Sequence, residues 1–284
     1  MLIYKTIQFI YLVVLRNFSL IRLSLNIFNY SFPVNCMRIF LICVLFFFSV
    51  DCFADYIDYY HQKKEIAEHS LYFDAIYSYE HERFDEDDSS MGTNRVDNIF
   101  TYGVNERTDF IFEAPYKWVH TSEDSISGWV DFSFFLSYKF YKSPRLSLYL
   151  MPEITIPNGD YEKWLGNGRA TYGLVFTSIQ NWGKYSLKSD FEYYRNENKL
   201  DLRVDMWSVI FTPKYTVNDR LELFLSALVS EDTDKTNYRT PYAFSGGFNY
   251  QVTKNFNILP YLRVDYGRPE TDVTAYLDFS WRLF

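Results

Sequence analysis

The residues that come closest to a nucleophilic site surround His120. Ser122, Glu123 and Asp124 follow it within four positions. A hydrolase needs a nucleophile beside a histidine, and a polar group that orients the histidine. A solvated polar loop contains the same residue types at the same spacing, so this cluster favours a loop. We predict no catalytic residues and keep a hydrolase as the third functional alternative.

Two other motifs could hold a ligand. The run from Asp85 to Asp88 is acidic at every position, and hard divalent cations prefer several carboxylate oxygens. It lacks the glycine and the spacing of a defined calcium loop, so a solvated acidic loop is the better interpretation. Gly166 and Gly168 lack the preceding parallel strand and the following helix of a nucleotide site. We therefore predict no metal site and no cofactor.

The composition indicates a membrane barrel more than a soluble domain. Aromatic residues make up 21% of the 284 residues, with 27 Phe and 26 Tyr. Transmembrane barrels concentrate such residues in girdles at the two membrane interfaces. No run of about 20 apolar residues, the length that spans a bilayer as a helix, is present. The net charge of −8 argues against nucleic acid as a partner.

The N-terminal region resembles an export signal. Met37-Arg38 is followed by an uncharged apolar run from Ile39 to Val50 and by a small-x-small site that ends at Ala54. These are the parts of a secretory signal peptide. We predict a misannotated extension at 1–36, a signal peptide at 37–54, a periplasmic leader or lumen plug at 55–68, and a β-barrel at 69–284.

Alternation with a period of two runs through the mature chain and predicts strands with one apolar face. The clearest example extends from Val130 to Tyr141, and the last extends from Val273 to Leu283. These strands are about 10 to 15 residues long, longer than is usual in soluble sheets and suited to a tilted crossing of the bilayer. An open sheet edge cannot face lipid. The fold class predicted is all-β, a closed antiparallel transmembrane barrel of twelve strands.

The connections between these strands alternate in length. Tight turns are predicted near 105–106, 143–144, 182–183, 218–219 and 254–255, with longer polar loops between them. Bacterial outer-membrane barrels have short periplasmic turns and longer extracellular loops. We therefore expect the bacterial outer membrane as the location. The expected partners are its lipid and lipopolysaccharide, and the barrel-assembly machinery through the C-terminal strand.

The polar face of each strand supplies the candidates for the lumen. In a pore such residues set ion or solute preference, and otherwise they brace the interior as charge pairs. The lumen-lining candidates are Arg145, Tyr149, Glu153, Lys188, Asp190, Glu192, Arg203, Asp205, Trp207, Arg220, Glu222, Tyr261, Arg263, Asp265, Asp278 and Arg282.

Several motifs resemble the family of outer-membrane proteins named for the MetA pathway of phenol degradation. The most specific is the run from Pro152 to Asp160, followed by Leu165-Gly166-Asn167-Gly168. The segment from Arg107 to Tyr116 and the ending Trp281-Arg282 are similar as well. The resemblance covers most of residues 107–284. It implies an outer-membrane barrel that admits small hydrophobic or aromatic solutes. A structural or adhesive surface barrel without transport is the alternative.

Overall fold

A computed structural model of the chain describes residues 66–83, 90–120, 125–231, 240–266 and 273–284. These residues form strands joined by turns and loops, with one 3-10 turn at Tyr161–Lys163. The strands are β1 (Leu71–Arg83), β2 (Ser90–Asn105), β3 (Thr108–His120), β4 (Ser125–Trp129), β5 (Phe132–Lys142), β6 (Leu146–Ile156), β7 (Thr171–Trp182), β8 (Tyr185–Asn196), β9 (Asp205–Asn218), β10 (Leu221–Ser230), β11 (Tyr242–Thr253), β12 (Phe256–Tyr266) and β13 (Val273–Arg282).

The sheet closes on itself. Apart from β4 and β5, each strand pairs antiparallel with its neighbours in sequence, and β1 pairs with β13 from Tyr72↔Arg282 to His81↔Val273. β4 and β5 both pair with β3 and are separated only by Val130 and Asp131. They are two halves of one barrel strand, so the wall contains twelve strands. The predicted fold class and strand number are confirmed.

Short turns lie at one end of the barrel and longer connections at the other, as predicted. Two of the turns are stabilised by the same side-chain hydrogen bond of an asparagine. The side chains of Asn105 and Asn218 each accept a hydrogen bond, at 2.9 Å, from the backbone N–H two residues later. An asparagine side chain that mimics a backbone turn in this way favours a tight connection.

The outer face of the wall is apolar and aromatic. Phe256 and Trp281 stack across neighbouring strands with ring centroids 4.9 Å apart, and Phe100 and Phe112 lie side by side on β2 and β3. Leu225, in the middle of β10, is 67% exposed. Such a surface matches the lipid-facing band of a transmembrane barrel. Over the described ranges, no helix is long and apolar enough to cross a membrane.

One strand begins later than predicted. The alternation placed a strand from residue 200, whereas β9 begins at Asp205. Residues 197–204 form a compact loop because the Asn198 side chain donates to the Leu202 carbonyl at 3.2 Å and accepts from the Leu202 N–H at 2.9 Å. The Leu202 N–H and C=O are satisfied inside the loop, which ends before the sheet ladder starts.

Several predictions fall outside the described residues. They concern the extension at 1–36, the signal peptide at 37–54, most of the leader at 55–68, the acidic run 85–88, and the residues 122–124 that follow His120. All of them stay predictions.

Candidate functional site

The inside of the barrel carries a belt of apolar side chains. It consists of Ile76, Ile99, Ile111, Phe135, Met151, Val175, Tyr194 and Met206, one from each of β1, β2, β3, β5, β6, β7, β8 and β9. Three cross-strand pairs build it, because Ile111 is paired with Phe135, Met151 with Val175, and Tyr194 with Met206. Residues paired in this way lie on the same face of the sheet. The interior is therefore not uniformly polar.

Buried carboxyl groups lie directly beside this belt. Glu113 is opposite Ile99, Glu153 is opposite Phe135, and Glu192 is opposite Val175. Each of these glutamates is less than 10% exposed. The three lie on β3, β6 and β8, close enough for the charges of Glu113 and Glu192 to act on Glu153. They give one side of the interior an acidic character next to apolar walls.

Ion pairs brace other parts of the inner wall. Lys188 Nζ lies 3.4 Å from Asp190 on β8, and both side chains are buried. On β12 the Arg263 guanidinium contacts the Asp265 carboxylate at 2.6 Å. A buried charge is tolerated when it is paired and hydrogen-bonded in this way. These pairs fit a bracing role for part of the inner face.

The structure places ten of the sixteen predicted lumen residues on the inner face. They are Tyr149, Glu153, Lys188, Asp190, Glu192, Glu222, Tyr261, Arg263, Asp265 and Asp278, of which Tyr149 and Glu222 are half-buried and the rest are buried. Arg145, Arg220 and Arg282 are exposed at turns or at the end of the last strand. Arg203 lies in the loop before β9 and pairs with Glu231 at 2.7 Å. Contact of any of these residues with a solute remains a prediction.

Asp205 and Trp207 lie on the outer face, which corrects the sequence assignment. Trp207 is paired with Tyr193 and contacts the exposed ring of Phe191. Asp205 accepts hydrogen bonds from the Tyr193 hydroxyl at 2.7 Å and from Arg195 at 3.1 Å. The inner face of β9 carries Met206, Ser208, Ile210 and Thr212 instead, and all four are buried. The assignment failed because the loop before β9 breaks the alternation on which it rested.

A loop between β6 and β7, residues 157–170, is fastened to the wall by Asp131. One oxygen of the Asp131 carboxylate accepts the backbone N–H of Gly159 at 2.8 Å, and the other accepts that of Asn167 at 2.7 Å. Asp131 lies at the interruption between β4 and β5 and is buried. Because the strand is interrupted between β4 and β5, Asp131 can bind the backbone of the loop 157–170.

This clamp explains the motif that sequence analysis singled out. A Cβ at Gly166 would collide with the Asp131 carboxylate, so only glycine allows this approach. Leu165, beside it, is buried at 3% exposure. Asp160 caps the short 3-10 turn by accepting the Glu162 N–H, and the hydrogen bond and charge of Lys163 hold the pKa of Asp160 below its usual value. Gly166 therefore serves to anchor the loop.

A cavity of about 290 Å³ lies between this loop and the belt. Its walls combine apolar, hydrogen-bonding and charged side chains. They are Arg95, Lys117, Val130, Asp131, Glu153, Thr155, Trp164, Leu165, Gly166, Asn167, Thr171, Tyr194, Asn196, Leu200, Leu202 and Met206. A volume of this order suits a small molecule of roughly the size of a substituted benzene. Within the part of the chain that the structure describes, no cluster of three or more His, Cys, Asp or Glu side chains could hold a metal ion.

Sequence reasoning missed most of this cavity. Arg95, Lys117 and Asp131 were not among the lumen candidates, and Leu165 was seen only as part of a motif. Asp131 carried no distinctive signal, since the alternation from Val130 to Tyr141 places it on the polar face together with Ser133. Its two hydrogen bonds connect residues that are 28 and 36 positions apart, which no local pattern reveals.

A comparison with protein families matches residues 63–283 to the family described as "Putative MetA-pathway of phenol degradation". The chain belongs to this family. The resemblance drawn from the sequence motifs is confirmed. Membership, a closed barrel and an apolar outer wall together identify a bacterial outer-membrane β-barrel. None of the curated proteins matches the chain.

Solved structures show the same fold at low sequence identity. The COG4313 outer membrane channel from Pseudomonas putida F1 is 15% identical, with a TM-score of 0.62 over 81% of this chain and 100% of that one. The transport unit of the autotransporter AIDA-I from Escherichia coli is 8% identical, with a TM-score of 0.50 over 80% of this chain and 93% of that one. Both similarities support the barrel architecture.

Proposed function

We propose that this family member is an outer-membrane channel for small, largely apolar solutes, aromatic ones included. The observation that carries the proposal is the belt of apolar side chains inside the barrel. Porin-type channels for hydrophilic solutes have a polar, water-filled interior. The apolar belt next to a cavity of about 290 Å³ instead suits molecules whose transfer out of water is favourable.

The family description adds support, since it names phenol degradation. A degradation pathway needs its substrate inside the cell, and outer-membrane passage is a step that a barrel can supply. The solved relative named as an outer membrane channel has the same fold. We assign transport and no catalytic step to this chain.

A structural barrel without transport is the second candidate. The observation that favours it is the close packing of the belt, in which Ile99 and Phe135 are each 1% exposed. Side chains packed to this degree leave little space for a solute unless the interior moves. The two candidates therefore differ in whether the interior opens.

Planar bilayers containing the refolded protein test the proposal. Discrete current steps that decrease when an apolar aromatic solute such as toluene is added would support a channel that this solute enters. Deleting residues 55–68, the predicted leader or plug, should raise the current if that segment fills the lumen. A correctly assembled barrel that stays silent with and without the leader would favour the structural alternative.

A further inference from the structure

Glu153 presents an unsatisfied acceptor to the cavity. Its side chain is buried, and Oε1 accepts a hydrogen bond from the Thr155 hydroxyl at 3.3 Å. Among the described residues, none donates a hydrogen bond to Oε2. A buried polar atom without a partner costs free energy, so a bound molecule that supplies a donor is stabilised there.

The other charged groups of the cavity wall are already engaged. Both oxygens of Asp131 accept backbone N–H groups. The Arg95 guanidinium contacts Asp97 at 2.5 Å and Glu113 at 3.3 Å, and Lys117 has an interaction of its own. Among the charged side chains of the described cavity wall, Oε2 of Glu153 is therefore the carboxylate oxygen that lacks a hydrogen-bond donor.

The backbone next to Glu153 leaves room for its Oε2 atom, because the residue opposite it is a glycine. Gly173 is paired with Glu153 on one side and with Tyr194 on the other. A Cβ at Gly173 would lie 2.9 Å from Oε2 of Glu153 and 2.5 Å from the Tyr194 ring. With glycine there, the carboxylate and the aromatic ring face each other across β7. The carboxylate of Glu153 and the ring of Tyr194 thus provide a polar and an apolar contact within one small site.

We propose that Glu153 makes this cavity selective for small apolar or aromatic molecules with a hydrogen-bond donor head, above all a cationic amino group, and against anions. The proposal rests on the channel function proposed above and names the solute class that its interior takes. An ammonium or hydroxyl group would donate to Oε2, while the apolar body would pack against Tyr194, Met206 and Leu165. A carboxylate at this position would face Glu153 and its acidic neighbours and be repelled.

Binding to the purified full chain in detergent tests this without requiring conduction. Isothermal titration calorimetry would compare benzylammonium, benzyl alcohol and benzoate, which share an aromatic ring and differ in the head group. We expect benzylammonium to bind most tightly and benzoate at least about tenfold more weakly, the factor lost with one charged hydrogen bond. Benzoate binding as tightly as benzylammonium would overturn the proposal.

The variant Glu153→Gln keeps the side-chain volume and removes the charge. It should weaken benzylammonium binding by about tenfold to a hundredfold and leave benzoate no longer disfavoured. The matched control is Glu197→Gln, since Glu197 pairs with Arg195 at 2.9 Å in an external loop and does not line the cavity. Equal binding by the Glu153→Gln and Glu197→Gln variants would contradict the role of Glu153.

The two proposals fail in different ways. Selective binding without any current in bilayers would remove the channel function and leave the site. Current without discrimination among the three probes would remove the role of Glu153 and leave the channel. Heat-dependent migration in gels, which reports an intact barrel, shows whether the Glu153→Gln variant has folded. The comparison of probes on the unmodified protein stands even if it has not.

Discussion

The substitution Asp131→Asn should release the loop between β6 and β7 from the barrel wall. The carboxylate accepts one backbone N–H on each oxygen, from Gly159 and from Asn167. An asparagine has a single acceptor oxygen, and its NH2 group would face the second N–H. One of the two hydrogen bonds must therefore be lost, and the remaining one has a neutral acceptor.

The magnitude follows from the strength of hydrogen bonds to charged acceptors. Each contributes about 1.5–3 kcal/mol to stability, which is the expected loss in the free energy of local loop opening. Because about 1.4 kcal/mol corresponds to a tenfold change in an equilibrium constant, the open fraction should rise by roughly 10-fold to 100-fold. Global unfolding should change less, since the sheet ladders on both sides of Asp131 stay intact.

Amide hydrogen exchange of residues 157–168, measured by mass spectrometry, reports this opening. The matched control is Asp160→Asn, the same substitution in the same loop. The Asp160 carboxylate is exposed, caps the 3-10 turn and pairs with Lys163 at 3.0 Å. We expect faster exchange at Gly159 and Asn167 in the Asp131 variant and near-unchanged exchange there in the control. Equal exchange in the two variants would refute the clamp.

Three further predictions concern the wall. Phe135→Ala should cost about 3–5 kcal/mol by removing a fully buried belt side chain, and should raise single-channel conductance; unchanged conductance would argue against a constriction there. Leu225→Arg places a charge on the lipid face at the middle of β10 and should cost about 2–4 kcal/mol, seen as poor assembly in refolding gels. Lys188→Met leaves the buried Asp190 without its cation and should cost about 3–5 kcal/mol in urea unfolding; a neutral effect would show that the pair is not needed.

The barrel itself follows from local patterns in the sequence. Period-two alternation over long strands fixes which face meets lipid, and side chains such as Asn105 and Asn218 fix the tight turns. These signals are short in range, so the strand number and the alternation of connection lengths could be predicted. The assignment of faces succeeds for β5 and β6 and fails for β9, whose start was placed too early.

The site was harder to predict because its parts meet only in the closed barrel. An inward Ile99 or Val175 looks no different in sequence from an outward one when both faces contain apolar residues. The inner side of β9 was misassigned because Asn198 folds the preceding loop. The cavity depends on Asp131 holding a loop that is distant in sequence. Such long-range contacts are absent from any local pattern.

Uptake of N-phenyl-1-naphthylamine, an apolar aromatic amine that fluoresces in membranes, tests the central claim most directly. Cells of a Gram-negative host with intact lipopolysaccharide would produce the chain, with barrel assembly checked by heat-dependent gel migration. A channel for small apolar solutes predicts faster fluorescence increase than in cells without the chain, with a further increase for Phe135→Ala. Equal rates in all three strains, with the barrel assembled, would contradict the proposed function.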